Sequence, residues 1–244
     1  MNQSGTTLIE YPVWDRTTRF FHWINFLCVL GLLGLGTVIL FASDLDVSND
    51  GKILLKSTHV LVGYVFVLNL LWRLIWGFIG GPYSRWSAIL PIGRKFMQAL
   101  SRQLHDLRTG NSEAHAGHSP TGRIAVTLIF LVLLIQGGSG LILAGTDVYM
   151  PPFGNSFAEW VASPDMDPQA VRPYAPETVN EQSYDEMRAF RKPVITTHAR
   201  LYYVLLALIM LHIVAVIFAE VREGGSIISA MFTGKKVLTR KPDE

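Results

Sequence analysis

Four of the seven histidines in this 244-residue chain, His22, His59, His198 and His212, fall in or at the edge of long apolar runs. Ionisable side chains are costly at membrane depth and read as functional there. His22 opens the first run, His59 opens the second, and His198 begins the fourth. His212 follows His198 on the same run, 14 residues later. In a helix that spacing gives nearly the same face, about 40° apart, and roughly 21 Å of axial rise. One helix thus offers imidazole at two depths. His59 can meet His198 at one depth, and His22 can meet His212 at the other.

Two opposed imidazoles in apolar surroundings suit the axial positions of a six-coordinate haem iron. Zinc asks for three or four protein ligands around one metal. A proton relay usually adds intramembrane carboxylates, and here Glu220 stands only at the end of the fourth run. The matched set therefore predicts two b-type haems, ligated by His22 with His212 and by His59 with His198. With both axial positions filled, electron transfer is favoured over oxygen binding. Arg73 and Arg200 are candidate partners for haem propionates, with snorkelling to headgroups as the other reading. Gly31, Gly34, Gly36 and Gly63, with Gly137, Gly138 and Gly140, either admit a flat macrocycle to the backbone or permit close helix packing. His105, His115 and His118 lie in a polar stretch and are expected in solvent. The single Cys28 excludes internal disulfides, thiolate iron–sulfur clusters and covalent haem attachment, and reads as a small core hydrophobe.

The elements that must position these histidines follow from composition. The chain is 50% hydrophobic and only 16% charged, against about 25% charged in ordinary soluble domains. Apolar blocks predict membrane helices at approximately 20–42, 59–79, 123–144 and 196–220, each near the roughly 20 residues that cross a bilayer. The fold class is an all-α integral membrane protein, a four-helix bundle in one domain, 1–244, with short surface helices. Met1–Arg19 is polar and unlike a cleaved signal peptide.

Lys and Arg number 13 in the two tails and the loop Gly80–Arg123, against six in the other two loops. The positive-inside rule then puts both termini in the cytoplasm, and in a bacterium the membrane is the inner one. Phe96, Leu100, Leu104 and Leu107 recur at helical spacing among bases, as in a helix lying on the bilayer or packed on the bundle. Segment 145–194 holds seven of the 12 prolines and eight acids against four bases. It is expected to be a long extracytoplasmic loop. No basic stripe with interleaved aromatics supports nucleic-acid binding.

Arg19-x-x-His22-Trp23, His59-x-x-x-Gly63, and His198 with His212 resemble the bacterial cytochrome b561 family. Gly81-Pro-Tyr-Ser-Arg-Trp86, Gly117-His-Ser-Pro120 and Ile227–Lys235 make the chain more similar to the cytochrome b subunits of nickel–iron hydrogenases. The resemblance implies the same two ligand pairs. It also implies electron exchange between a periplasmic redox partner, such as hydrogenase small and large subunits or a cytochrome c, and membrane quinone. A self-contained quinone oxidoreductase driven by superoxide or another donor is the alternative within the same fold. A haem-free ion-handling protein is the alternative outside it.

Overall fold

A computed structural model describes residues 9–109, 115–223 and 226–238. Arg240 and Lys241, counted above among the tail bases, lie outside the described residues. Four helices are long and apolar enough to cross a membrane: α1 (Arg16–Leu40), α2 (Asn49–Ile79), α5 (Pro120–Val148) and α7, apolar across Glu181–Arg222 and ending at Glu223. A backbone in hydrocarbon can satisfy its own N–H and C=O groups only by closing them within a helix. Large apolar residues such as Phe78, Leu68 and Val221 lie exposed along these helices, as surfaces solvated by lipid would.

Shorter elements connect them: α3 (Trp86–Ile89), α4 (Arg94–Thr109), α6 (Gly154–Val161) and α8 (Ile227–Thr233). The all-α expectation missed one feature. Strand β1 (Ile9–Pro12) pairs antiparallel with β2 (Lys235–Leu238), Glu10 opposite Val237. The helix α4 occupies the stretch whose period suggested it, with Phe96 buried and Leu104 and Leu107 exposed.

Segment 145–194 is not the long loop expected. Helix α5 runs on to Val148, α6 follows, and 3-10 turns form at Pro168–Ala170 and Pro176–Thr178 before α7 begins at Glu181. Ala158, Val161, Val171 and Met187 build a small core there, packed against by Tyr149, Phe157 and Tyr184. Pro193 lies inside α7. A proline within a helix costs about 3 kcal/mol, and fully burying one side chain of methionine size returns about 1.5–3 kcal/mol. Seating Met187 with its neighbours therefore offsets a break that the sequence pattern suggests. His59 and His198 lie well inside α2 and α7 rather than opening them.

The chain packs as two compact units. One comprises Ile24–Leu70 and Val132–Leu205; the other comprises Leu71–Leu131 with the described parts of Met1–Trp23 and Leu206–Glu244. They are called the His59 unit and the His22 unit below.

Candidate functional site

In the His59 unit, parts of α1, α2, α5 and α7 line a cavity of about 520 Å³, a size usual for cofactor sites. Its wall is mostly apolar, and both His59 and His198 face it. Their ring centroids lie 6.4 Å apart with the planes at 71°. Two metal–imidazole bonds of about 2.0 Å, plus about 1.1 Å from each nitrogen to its ring centre, put axial imidazoles about 6.2 Å apart. The spacing is that of two ligands on opposite sides of one metal.

Ser139 Oγ donates to the Ile135 carbonyl at 2.7 Å and lies 2.8 Å from Nδ1 of His198. This contact holds the Nδ1 side of the ring, and with the hydroxyl proton given to Ile135 the imidazole would carry its own on Nδ1 and present Nε2 as a ligand. Nδ1 of His59 is buried without a hydrogen-bond partner among the described residues.

The glycines divide by what surrounds them. A Cβ at Gly36 would touch His59 Cε1 at 3.6 Å, and one at Gly140 would touch His198 Cε1 at 3.5 Å. One at Gly63, also in the wall, would meet nothing within 4 Å. These three keep space open beside the imidazoles. Gly137 lines the cavity as well, but a Cβ there would press on Val67 at 3.3 Å, so it also permits close helix packing.

At the cavity's edge Asp147 accepts from Lys56 Nζ at 2.8 Å and is also paired with Arg191. Neither Ser139 nor this ionic trio was singled out from sequence. Ser139 had a signal, a lone hydroxyl among three glycines of an apolar span. The trio joins α2, α5 and α7, so only the fold reveals it.

In the His22 unit, His22 and His212 lie close enough to interact electrostatically, and Nδ1 of His22 is buried without a hydrogen-bond partner among the described residues. Asp15 caps α1 by accepting from the Thr18 N–H at 2.7 Å. It also accepts from Ser84 Oγ at 2.6 Å and from the Trp76 indole at 3.2 Å. Burial would raise the Asp15 carboxyl, but these donors outweigh it and hold it below its ordinary range. Arg73 is buried between the rings of Phe21 and Trp86 and donates Nη2 to the Ser84 carbonyl at 2.9 Å. Among the described residues, neither its Nη1 nor Arg19 Nε has a hydrogen-bond partner.

His118 is not the solvated residue expected. It lies against Trp14, with ring centroids 4.8 Å apart and planes tilted by 57°, and its Nδ1 is buried without a hydrogen-bond partner among the described residues. Burial, then the charges of Lys236, Arg73 and Arg123, push its imidazole down to about 4. His105 is exposed, as expected. Arg200 is also exposed and does not line the His59 cavity, whereas Lys52 and Lys56 do.

A family model described as prokaryotic cytochrome b561 matches residues 13–234. The chain belongs to that family. It is therefore a transmembrane b-type cytochrome of electron transport, with haem as its cofactor. The chain is 24% identical to a probable Ni/Fe-hydrogenase B-type cytochrome subunit of Bradyrhizobium diazoefficiens, over 96% of this chain and 90% of the relative. It is 28% identical to the probable Ni/Fe-hydrogenase 1 B-type cytochrome subunit of Escherichia coli K12, over 59% of this chain and 64% of the relative. A Cupriavidus necator protein of the same description is 21% identical over 96% and 90%. No solved structure matches. For a cytochrome b561-family chain, the His59 cavity fits haem on three counts: the 6.4 Å ring spacing, the Ser139 contact that holds the Nδ1 side of His198, and the space kept open by Gly36 and Gly140.

Proposed function

We propose that residues 1–244 act as one di-haem cytochrome b domain carrying electrons between a periplasmic hydrogenase and the membrane quinone pool. The observation that carries this reading is the His59–His198 pair, 6.4 Å apart in an apolar cavity. His59 and His198 hold one haem b, and His22 and His212 hold the other. Haem b, when bound, supplies a one-electron Fe(III)/Fe(II) couple. The chain's own work is to occupy both axial positions, leaving no open one for oxygen, and to set the surrounding charge and dielectric. Ser139 holds the Nδ1 side of His198, and the apolar wall excludes water. The hydrogenase role rests on the printed names of the relatives. An acidic, folded segment between α5 and α7 is the surface such a partner would meet. The distribution of Lys and Arg supports cytoplasmic termini in the bacterial inner membrane.

The test is the pyridine haemochrome of the detergent-purified chain, repeated for His22→Ala and His59→Ala. Two haems per chain, with each variant losing one, is the expected result. A chain that stays fully loaded after His59→Ala would overturn the ligand assignment. Reduction by hydrogen should require added hydrogenase, and a chain that reduces quinone with superoxide alone would overturn the partner role.

A further inference from the structure

A second pocket, of about 410 Å³, borders the cavity of the His59 unit and shares Lys56, Asp147 and Tyr174 with it. Its wall carries four bases, Lys56, Arg172, Arg188 and Arg191, against one acid, Asp147. That acid is already divided between Lys56 and Arg191. Arg172 donates Nη1 to the main-chain carbonyls of Gln169 at 2.7 Å and Val171 at 3.1 Å. Arg188 reaches Asp185 only at 3.9 Å, with both side chains mostly exposed, so screening leaves that pair little strength. Arg188 and Arg191 lie three residues apart on α7 and so share a face. The pocket thus gathers positive charge that its own carboxylate does not balance, on guanidinium forks shaped for carboxylates.

We propose that this pocket is a carboxylate site, filled by the propionates of the haem whose ring lies in the adjoining cavity. The proposal rests on reading His59 and His198 as haem ligands. It moves the propionate role from Arg200, which is exposed and outside the cavity wall, to Lys56 and the three arginines. A porphyrin bearing two propionates brings the anions that the pocket lacks.

The full chain carrying His22→Ala, so that only the His59 site loads, is stripped of haem in detergent. It is then titrated with haem b and with haem b dimethyl ester, following the Soret band. The free acid should bind at least about 10-fold more tightly than the ester, the scale of a charge-assisted hydrogen bond. The pair Arg172→Gln and Arg188→Gln should narrow that gap to less than about threefold, and Arg172→Lys with Arg188→Lys should preserve most of it. Equal binding of acid and ester, or a gap unchanged by the Gln pair, overturns the proposal while the ligand assignment stands. Succinate binding to the haem-loaded chain, lost in the Gln pair, would assign the pocket to a free dicarboxylate and overturn the propionate source. If neither porphyrin gives a bis-imidazole spectrum, the ligand reading itself fails and the proposal fails with it.

Discussion

In the wall of the His59 cavity the orphaned buried polar atoms among the described residues are neutral, Nδ1 of His59 and Oε1 of Gln136, while the charges Lys56, Asp147 and Arg191 are paired. In the His22 unit the orphans among the described residues include cationic groups, Nη1 of Arg73 and Nε of Arg19. A buried cation with an unmatched donor costs several kcal/mol unless an anion or an electron-rich group answers it. In the His22 unit Arg73 is answered in part by the Phe21 and Trp86 ring faces, the Ser84 carbonyl and the Asp15 charge, with Nη1 left over among the described residues. In the His59 unit the cations in excess, Arg172 and Arg188, stand in the adjoining pocket instead. The two units thus place their unanswered positive charge differently, one on a buried donor and the other along a pocket wall.

Blocking the cavity should break the comparison most completely. Gly140→Leu or Gly36→Leu drives a branched side chain into an imidazole that already stands within 3.6 Å of a Cβ. The expected result is loss of the His59 haem, more than about 100-fold in affinity, with the His22 haem retained. Gly137→Ala, tight only against Val67, should cost stability and keep both haems; the haemochrome count separates the two. Ser139→Ala comes next: freed from its hydroxyl partner, His198 should bind haem about 10–100-fold more weakly. Haem loss to apomyoglobin measures it. Arg73→Gln removes a positive charge from the His22 unit alone. It should lower the midpoint potential of one haem by tens of millivolts and leave the other unmoved in a potentiometric titration.

The smallest effect is on acid stability. His118 titrates at about 4 when folded against 6.5 ordinarily, so the unfolded chain binds more protons between those values. The stability it contributes is complete above about pH 6.5 and is lost as pH falls toward about 4. His118→Asn should flatten this part of the melting-temperature profile in detergent. An unchanged profile would mean that His118 is not buried as described.

The four membrane helices were legible because each satisfies one strong rule, a long apolar run that must close its backbone. Cys28, buried at 7% exposure, and the amphipathic α4 were legible for similarly local reasons. The full extents of α2 and α7 were not. Their polar first turns leave the membrane pattern and are held by packing such as that of Met187, which no window of sequence contains. Ser139 stood in view among glycines, but its role needs the partner from another helix. His118 looked like a loop residue because its neighbours are polar, whereas Trp14, far away in sequence, lies against it. The open question about the glycines also needed coordinates, since Gly137 and Gly140 both line the cavity and differ in what a Cβ would meet, Val67 at one and His198 at the other.

The ribbon of β1 and β2 bears on how this protein is made. Glu10 and Lys235, bonded across it, are 225 positions apart in the chain. At about 5–20 residues per second of synthesis, the first strand waits more than 10 s for its mate. His22 waits for His212 in the same way. The His22 unit therefore closes later than the other, since it needs residues from Leu206 onward, whereas the His59 unit is complete by Leu205. Synthesis sets an order on the two units: of His22, His59, His198 and His212, the one that comes first belongs to the unit completed last.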